Sequence, residues 1–160
     1  MSAIVERISD RDQLESILDL IQGYQAFYRA KGDRERNRRH FGQLVGANDL
    51  GALIGCWEDG RAVGFTTLYF LPSSITAETS CMLNDVFVHP DFRGKGIARL
   101  LFKAAALCAL AKGFPQIEWL TQRQNVTAQR LYDSLPQKRT EWFGYTAETE
   151  ELVAAIGDRV

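Results

Sequence analysis

The sequence lacks three features that mark specialised protein classes. It has no excess of charge, because 19 basic and 20 acidic side chains give a net charge of −1, which argues against nucleic acid or an anionic membrane as a partner. It has only three cysteines, Cys56, Cys81 and Cys108, and no C-x-x-C pair, which favours free thiols in the cytoplasm. Its most apolar stretch, residues 97–111, is interrupted by two basic residues and is shorter than the roughly 20 residues of a membrane span.

The remaining composition is that of an ordinary globular protein. With 160 residues, 46% hydrophobic and 24% charged, the chain suits one folded unit, and we expect residues 1–160 to form a single domain. The two histidines, His40 and His89, are far apart and have no Cys, Asp or Glu at ligand spacing. We therefore expect no metal site.

Hydrophobic periodicity and turn residues predict the order of elements. The pattern starts with a strand and an amphipathic helix that begins at Ser9 or Asp10 and ends near Gly32. The basic segment that follows, Arg29–Arg39, is compatible with a second helix, but the pattern does not decide whether one forms. The later elements are two strands joined by an Asp-Gly turn, a third strand, a long helix, a strand, a short helix and a final strand, predicted at 52–57, 62–70, 75–88, 96–112, 116–121, 125–134 and 141–145. This order predicts a mixed α/β (α+β) fold on one sheet.

A glycine-containing turn joins the third of these strands to the long helix. Backbone N–H groups at such a helix start face outward, where the helix dipole favours an anion. The turn is no nucleotide-triphosphate loop, because GxxxxGK[ST] is absent, and no dinucleotide fingerprint, because Arg99 occupies the position of its third glycine. The alternative is that Gly94 and Gly96 only make a tight turn.

The segment Val86–Ala98 resembles the acetyl-coenzyme A signature of the GNAT superfamily of N-acetyltransferases. Val86, Val88 and Pro90 match its V-x-V-x-P strand, and the R-x-x-G-x-A motif follows. The resemblance implies a mostly antiparallel sheet with helices on both faces and a splayed central strand pair where acetyl-CoA, the co-substrate, enters. It also implies that the strand pairs with the pantetheine arm and that the turn amides hold the pyrophosphate. The implied cofactor-binding residues are Val86, Phe87, Val88, Arg93, Gly94, Lys95, Gly96, Ile97, Ala98, Arg99 and Asn125.

A second motif at residues 125–132 resembles the family's N-x-x-A-x-x-L-Y helix. Asn125 is expected to cap this helix and Tyr132 to close it. The resemblance implies that Tyr132 is the general acid for the departing thiolate. The alternative is that Tyr132 is an ordinary half-buried aromatic residue.

One departure from the family concerns the general base. Relatives of the polyamine type often carry L-E-D before the turn, whereas this chain has Leu83-Asn84-Asp85. Adjacent strand residues point to opposite faces, so Asp85 replaces the glutamate only if a bulge redirects it. We expect a water relay that draws on Asp85 or Glu118. The resemblance also places Phe27, Tyr28 and Asn84 around the acceptor amine.

The resulting hypothesis is an acetyl-CoA-dependent N-acetyltransferase, nearest the small-amine type, whose substrate is a small amine, a polyamine or an amino-acid derivative. The alternatives are a protein or peptide amine acetyltransferase and a non-catalytic acyl-CoA-binding module.

The segment Arg29–Arg39 is interpreted as solvated surface, with nucleic acid or an acidic acceptor as the alternative. The amphipathic tail Thr149–Val160 either docks on its own domain or packs across a dimer. Because GNAT relatives often dimerise, we expect a homodimer.

Overall fold

The computed structural model of the protein describes residues 3–156. These residues divide between Leu120 and Thr121 into two compact units. The first unit contains β1 (Ile4–Arg7), α1 (Arg11–Phe27), α2 (Arg34–Gly42), β2 (Gly51–Glu58), β3 (Arg61–Ser73), β4 (Glu78–Val88), a 3₁₀ turn (Pro90–Phe92), α3 (Ile97–Ala111) and β5 (Ile117–Trp119). The second contains α4 (Val126–Tyr132) and α5 (Thr149–Ile156).

The described strands form one sheet in the order β1-β2-β3-β4-β5. The first three pairings are antiparallel, and β5 joins β4 in parallel. The predicted hairpin is present, with Asp59 and Gly60 at its tip in left-handed conformation. The mixed, mostly antiparallel sheet predicted from the sequence is confirmed.

One face of this sheet is covered by α1 and α2. Helix α1 begins where Asp10 accepts a 2.9 Å hydrogen bond from the backbone N–H of Gln13, a standard N-cap. Its stripe of buried residues packs on the inward side chains of the central strands. The core on this face consists of Ile8, Leu14, Ile17, Leu18, Leu20, Ile21, Phe41, Leu44, Leu53, Phe65 and Phe87.

The other face of the sheet carries α3. Gly64 of β3 lies so close to this helix that an added Cβ would come within 3.2 Å of the side chains of Ile97 and Leu101. The helix runs from Gly96 as N-cap to Lys112 as C-cap, as the sequence predicts. The first unit therefore has helices on both faces of its sheet.

Part of the basic segment Arg29–Arg39 is neutralised by acidic residues of α1 and α2. Arg34 contacts Asp19 at 2.5 Å, and Arg38 pairs with Glu15 and Glu35. The hydrogen bond from Arg38 is the main reason that the pKa of Glu15 lies below its ordinary value. These ion pairs dock α2 on α1 and agree with a solvated, paired surface.

The second unit departs from the prediction at its aromatic run. Residues 141–145 form no strand, and Trp142, Phe143 and Tyr145 are largely exposed. Aromatic residues favour a strand only where a neighbouring strand pairs with them, and within residues 121–156 no strand is present. Helix α5 is present, while residues 157–160 of the predicted tail lie outside the described part of the chain.

Across residues 3–156, no helix combines the length and the apolar character needed to cross a membrane.

Candidate active site

The turn between β4 and α3 exposes the amide end of a helix. Gly94 and Gly96 have φ angles of 78° and 82°, a left-handed conformation that glycine adopts without strain. Gly96 caps α3 without a side-chain hydrogen bond. An added Cβ at either glycine would meet no atom within 4 Å, so the space beside the turn is open. This arrangement suits a phosphate group.

Cationic side chains surround the turn. The Lys95 ammonium lies 4.6 Å from the centre of the Phe92 ring, and the Arg61 guanidinium lies 5.2 Å from it. Arg93 donates from Nε to the carbonyl of Val88 at 3.1 Å. Arg93 is therefore folded back along β4, whereas Lys95 stays beside the turn.

Strands β4 and β5 separate at the end of β4 that leads into the turn. They pair only over Cys81–Leu83 and Ile117–Trp119, although β4 continues to Val88. Among the described residues, 84–88 therefore have no strand partner on the β5 side, while β3 pairs with residues 85–88 on the other side. This separation is the splayed strand pair expected from the sequence, and it leaves backbone groups of Val86, Phe87 and Val88 beside an open edge.

A β-bulge interrupts β4 at the residue where a general base is expected. Thr67 pairs with Asp85 and Leu68 with Leu83, so Asn84 has no partner in β3. Because of this extra residue, Leu83 and Asp85 point to opposite faces of the sheet. Asp85 lies on the face that α1 and α2 cover, and Thr67 is its cross-strand neighbour on that face.

The Asp85 side chain is almost completely buried. It is only 5% exposed, and within residues 3–156 the structure shows no hydrogen bond or ion pair to its carboxylate. The neighbouring Thr67 is fully buried, and its hydroxyl also lacks a partner among the described residues. Since buried polar groups are almost always hydrogen-bonded, this pair is equipped to bind a polar group of a ligand.

Glu118 lies on the same face of the sheet, in a different environment. It pairs in register with Met82, which pairs with Tyr69 on the face of α1 and α2. Glu118 is exposed and accepts a 3.4 Å hydrogen bond from Gln116. Asn84, the bulge residue, is exposed as well. Of the two candidate bases, Asp85 alone is enclosed.

Tyr69, a residue that the sequence analysis did not select, lies near Asp85, and a second such residue, His40, contacts Tyr69. The hydroxyl of Tyr69 is 3.0 Å from Nε2 of His40 in α2. Burial is the main reason that the pKa of Tyr69 lies above its ordinary value, and the negative charge of Asp85 raises it further. The alternation of Phe65, Thr67 and Tyr69 along one strand was the available sequence signal, but the contact with α2 is tertiary.

A cavity of about 520 Å³ opens near the end of β4. It brings Phe27, one of the predicted acceptor-site residues, together with Phe87 and Arg93 of the predicted cofactor site. Tyr28 caps α1 next to it and stacks edge-on against Phe27 at 5.0 Å. The cavity is lined by Ser16, Asp19, Leu20, Gly23, Phe27, Arg61, Ala62, Phe87, His89, Pro90 and Arg93.

Asn125 and Tyr132 belong to the second unit. The Asn125 side chain accepts a 3.2 Å hydrogen bond from the N–H of Ala128 and caps α4, as the sequence predicts. Tyr132 is the last residue of this helix and is half-buried.

No group of three or more His, Cys, Asp or Glu side chains within residues 3–156 is arranged to hold a metal ion.

Comparison with known proteins identifies the family. The sequence profile of the acetyltransferase (GNAT) family matches residues 15–135, about three quarters of the chain. The chain belongs to the GNAT family. It is an acetyl-CoA-dependent acetyltransferase, and the resemblance noted in the sequence is confirmed at this level.

Individual relatives of this GNAT protein differ in acceptor. An uncharacterized N-acetyltransferase of Archaeoglobus fulgidus is 30% identical over 89% of this chain and 98% of that protein. The thialysine N-epsilon-acetyltransferase of Mus musculus is 34% identical over 59% of this chain and 58% of that protein. The aminoglycoside N-acetyltransferase AAC(6')-Iy, solved in complex with CoA, has a TM-score of 0.78 at 19% identity and covers 93% of this chain and 97% of its own. This last likeness is one of fold.

Proposed function

We propose that this GNAT protein transfers the acetyl group of acetyl-CoA to a small primary amine by direct attack in a ternary complex. The bulge in β4 carries the proposal, because it turns a buried carboxylate, Asp85, toward the face of α1 and α2 next to the splayed strand pair. Proposed acceptors are a small amine, a polyamine or an amino-acid derivative. The thialysine N-epsilon-acetyltransferase of Mus musculus, whose name specifies an amine acceptor, supports this class.

The turn residues are proposed to hold acetyl-CoA, which supplies the thioester acetyl group. The left-handed Gly94 and Gly96 leave open space beside the first amides of α3, and Lys95 adds positive charge. The edge of β4 at Val86, Phe87 and Val88 has no strand partner on the β5 side and offers backbone groups to an uncharged amide chain, apart from the Val88 carbonyl, which accepts from Arg93. The alternative is that Gly94 and Gly96 only make a tight turn, as Gly113 does with equally open space beside it. The edge of β4 without a strand partner is the observation that favours cofactor binding.

The acceptor must lose a proton before it attacks. An alkylammonium with a pKa of about 10.4 is neutral roughly once in 2,500 molecules at pH 7, equivalent to about 4.6 kcal/mol. We propose Asp85 as the first proton acceptor, directly or through water, because it is enclosed beside the unpartnered hydroxyl of Thr67. Glu118 is the alternative base. Phe27, Tyr28 and Asn84 are proposed to border the acceptor.

The leaving thiolate must gain a proton, and Tyr132 is the proposed donor. Its position at the end of an Asn125-capped helix in a sequence motif of the family supports this role.

We further propose that residues 1–160 act as one domain and that the protein is a homodimer.

The acceptor and the base are tested together by thiol release. Wild-type protein, Asp85→Asn and Glu118→Gln are assayed with free amines, amino acids, peptides and intact proteins. We expect activity with small amines and a loss of about 10²-fold or more in kcat for Asp85→Asn alone. A larger loss for Glu118→Gln would make Glu118 the base. Activity confined to protein amino termini or lysines would contradict the small-amine acceptor, and no thiol release with any acceptor would favour a non-catalytic module.

A further inference from the structure

A chain of polar side chains leads from Asp85 to the protein surface. Tyr69 and Asp85 occupy diagonal positions on one face of the β3–β4 pair, because Asp85 pairs with Thr67, which lies two residues before Tyr69 in β3. Diagonal neighbours on a sheet lie about 7–8 Å apart at Cα, within the reach of an aromatic side chain. The Tyr69 hydroxyl then lies 3.0 Å from Nε2 of His40, and His40 is exposed.

Each of the three side chains, Asp85, Tyr69 and His40, belongs to a chemical class that can transfer a proton. Carboxylates as a class hold a proton about six pKa units less tightly than amines, so a carboxylate that takes a proton from an ammonium group must pass it on. A phenol that stays protonated can receive a proton on oxygen while it releases its own. Imidazole is the side chain that most readily exchanges protons with water near neutral pH.

We propose that Asp85, Tyr69 and His40 form a relay that conducts the proton of the acceptor ammonium to solvent. This inference rests on the proposed function, because it assigns the proton that the acceptor amine must lose. An N–H bond of the ammonium breaks and an O–H bond forms on Asp85. Because no hydrogen bond joins Asp85 to Tyr69 within the described residues, that proton passes through a water molecule to the Tyr69 oxygen as the phenolic proton moves to Nε2 of His40. The imidazolium then releases its Nδ1 proton to water, which restores the starting charge of all three groups. Proton exchange of the exposed imidazole with water and rotation of the Tyr69 hydroxyl restore the starting tautomer and hydroxyl direction.

The surroundings of His40 leave it open to solvent on one side. Phe41 packs edge-on against its ring at 5.0 Å, and Tyr69 contacts it from β3. Arg39, the neighbouring residue of α2, is directed to Glu35 at 3.9 Å. His40 is therefore a proton exit: it touches neither the acceptor nor the thioester in this proposal and acts through Tyr69.

Two variants test the relay by steady-state thiol release with a small alkylamine. Tyr69→Phe removes the hydroxyl and keeps the ring, and His40→Ala removes the exposed end. We expect each to lower kcat by about 10-fold or more, with little change in the KM for acetyl-CoA. Added imidazole is expected to restore His40→Ala in proportion to its concentration but not Tyr69→Phe, because the small molecule can replace an exposed imidazole ring, whereas the phenyl ring of the Tyr69→Phe variant still fills the place of the half-buried phenol. An exposed residue one turn away, changed as Gln43→Ala, is the matched control.

A second readout needs no turnover. Nitrogen-15 spectra of the ligand-free protein, with His40 assigned through His40→Ala, should show a changed Nε2 signal in Tyr69→Phe. An unchanged signal would mean that the His40–Tyr69 contact is not formed and would overturn the relay.

The kinetic outcomes separate this inference from the proposed function. If the wild-type protein turns over and both variants keep its kcat, the relay is overturned and the proposed function is not. A His40→Ala defect that imidazole does not relieve would also overturn it, since it would indicate a structural role. No turnover by the wild-type protein with any amine would overturn the proposed function and the relay with it.

Discussion

The hydroxyl of Thr66 donates a 2.6 Å hydrogen bond to the backbone carbonyl of Asp85. Thr66 is fully buried, and its pairing with Val86 places it one residue from the bulge in β4. Bulges disturb the regular ladder of backbone hydrogen bonds, so this side-chain bond gives the carbonyl a partner from the α3 face. Thr66 thereby supports the backbone conformation that turns the Asp85 carboxylate to the other face.

The first prediction compares two isosteric changes on neighbouring residues. Thr66→Val leaves the Asp85 carbonyl without its side-chain donor, and we expect a loss of about 1–3 kcal/mol in the free energy of unfolding. Thr67→Val removes a buried hydroxyl that has no partner among the described residues, and we expect no loss or a small gain. Urea unfolding monitored by tryptophan fluorescence measures both. Equal destabilisation by the two variants would contradict the role given to Thr66.

The bulge also shows where sequence reasoning stops. The sequence predicts the end of β4, its turn and α3 to within one residue, and the start of β4 three residues too early, because alternation, glycine positions and helix caps are local signals. The face taken by Asp85 depends on one extra residue in a ladder with β3, and the partner of Tyr69 lies in another helix. Such contacts are set by tertiary packing, which a single sequence does not specify.

The second prediction concerns the turn. Gly96→Asp puts a carboxylate at the proposed pyrophosphate site, and we expect acetyl-CoA to bind at least about 10-fold more weakly in calorimetric titration, because like charges repel there. Gly113→Asp is the matched control: it has a φ of 81° against 82° at Gly96, open space for a Cβ, and a position past the other end of α3. Both variants share the backbone strain of a left-handed residue. Equal affinities in the two variants would remove the turn from the cofactor site.

The third prediction is that no cysteine acts as a nucleophile. Burial raises the pKa of Cys56 and of Cys81 from 9.0 to about 11, so at pH 8 only about one thiol in a thousand is ionised. We expect iodoacetamide to modify the partly exposed Cys108 first in the native protein, with acetyl transfer retained. Peptide mass spectrometry identifies the alkylated residues. Rapid alkylation of Cys56 or Cys81 accompanied by loss of activity would contradict direct attack by the amine.

The fourth prediction is association through α5. Leu152, Val153 and Ile156 are all at least half exposed in this helix, and eight residues are too few for a helix that is stable alone. If this face packs across a dimer, Leu152→Glu combined with Ile156→Glu should produce a monomer. Light scattering at micromolar concentration provides the measurement. A wild-type protein that is monomeric under these conditions would exclude the homodimer.

The last prediction concerns Tyr132. A thiolate leaving group gains a proton near a pKa of about 8.5, so its protonation needs little driving force and a positioned phenol is sufficient. We expect Tyr132→Phe to lower kcat by about 10²-fold or more while acetyl-CoA affinity stays nearly unchanged. That combination identifies a group used after binding. Leu131→Ala, in the same helix, is the control for a general loss of packing in α4.

This test requires that the chemical step limits the rate of turnover. A pre-steady-state burst of thiol in the wild-type protein would show that a later step limits it. Under that condition the size of the Tyr132→Phe defect should depend on the leaving group. An acyl donor with a more acidic thiol leaves without help from an acid, so the defect should shrink with such a donor. A defect of constant size would indicate that Tyr132 positions the donor and does not protonate it, and wild-type turnover across pH 6 to 9 would mean that Tyr132 is not the acid.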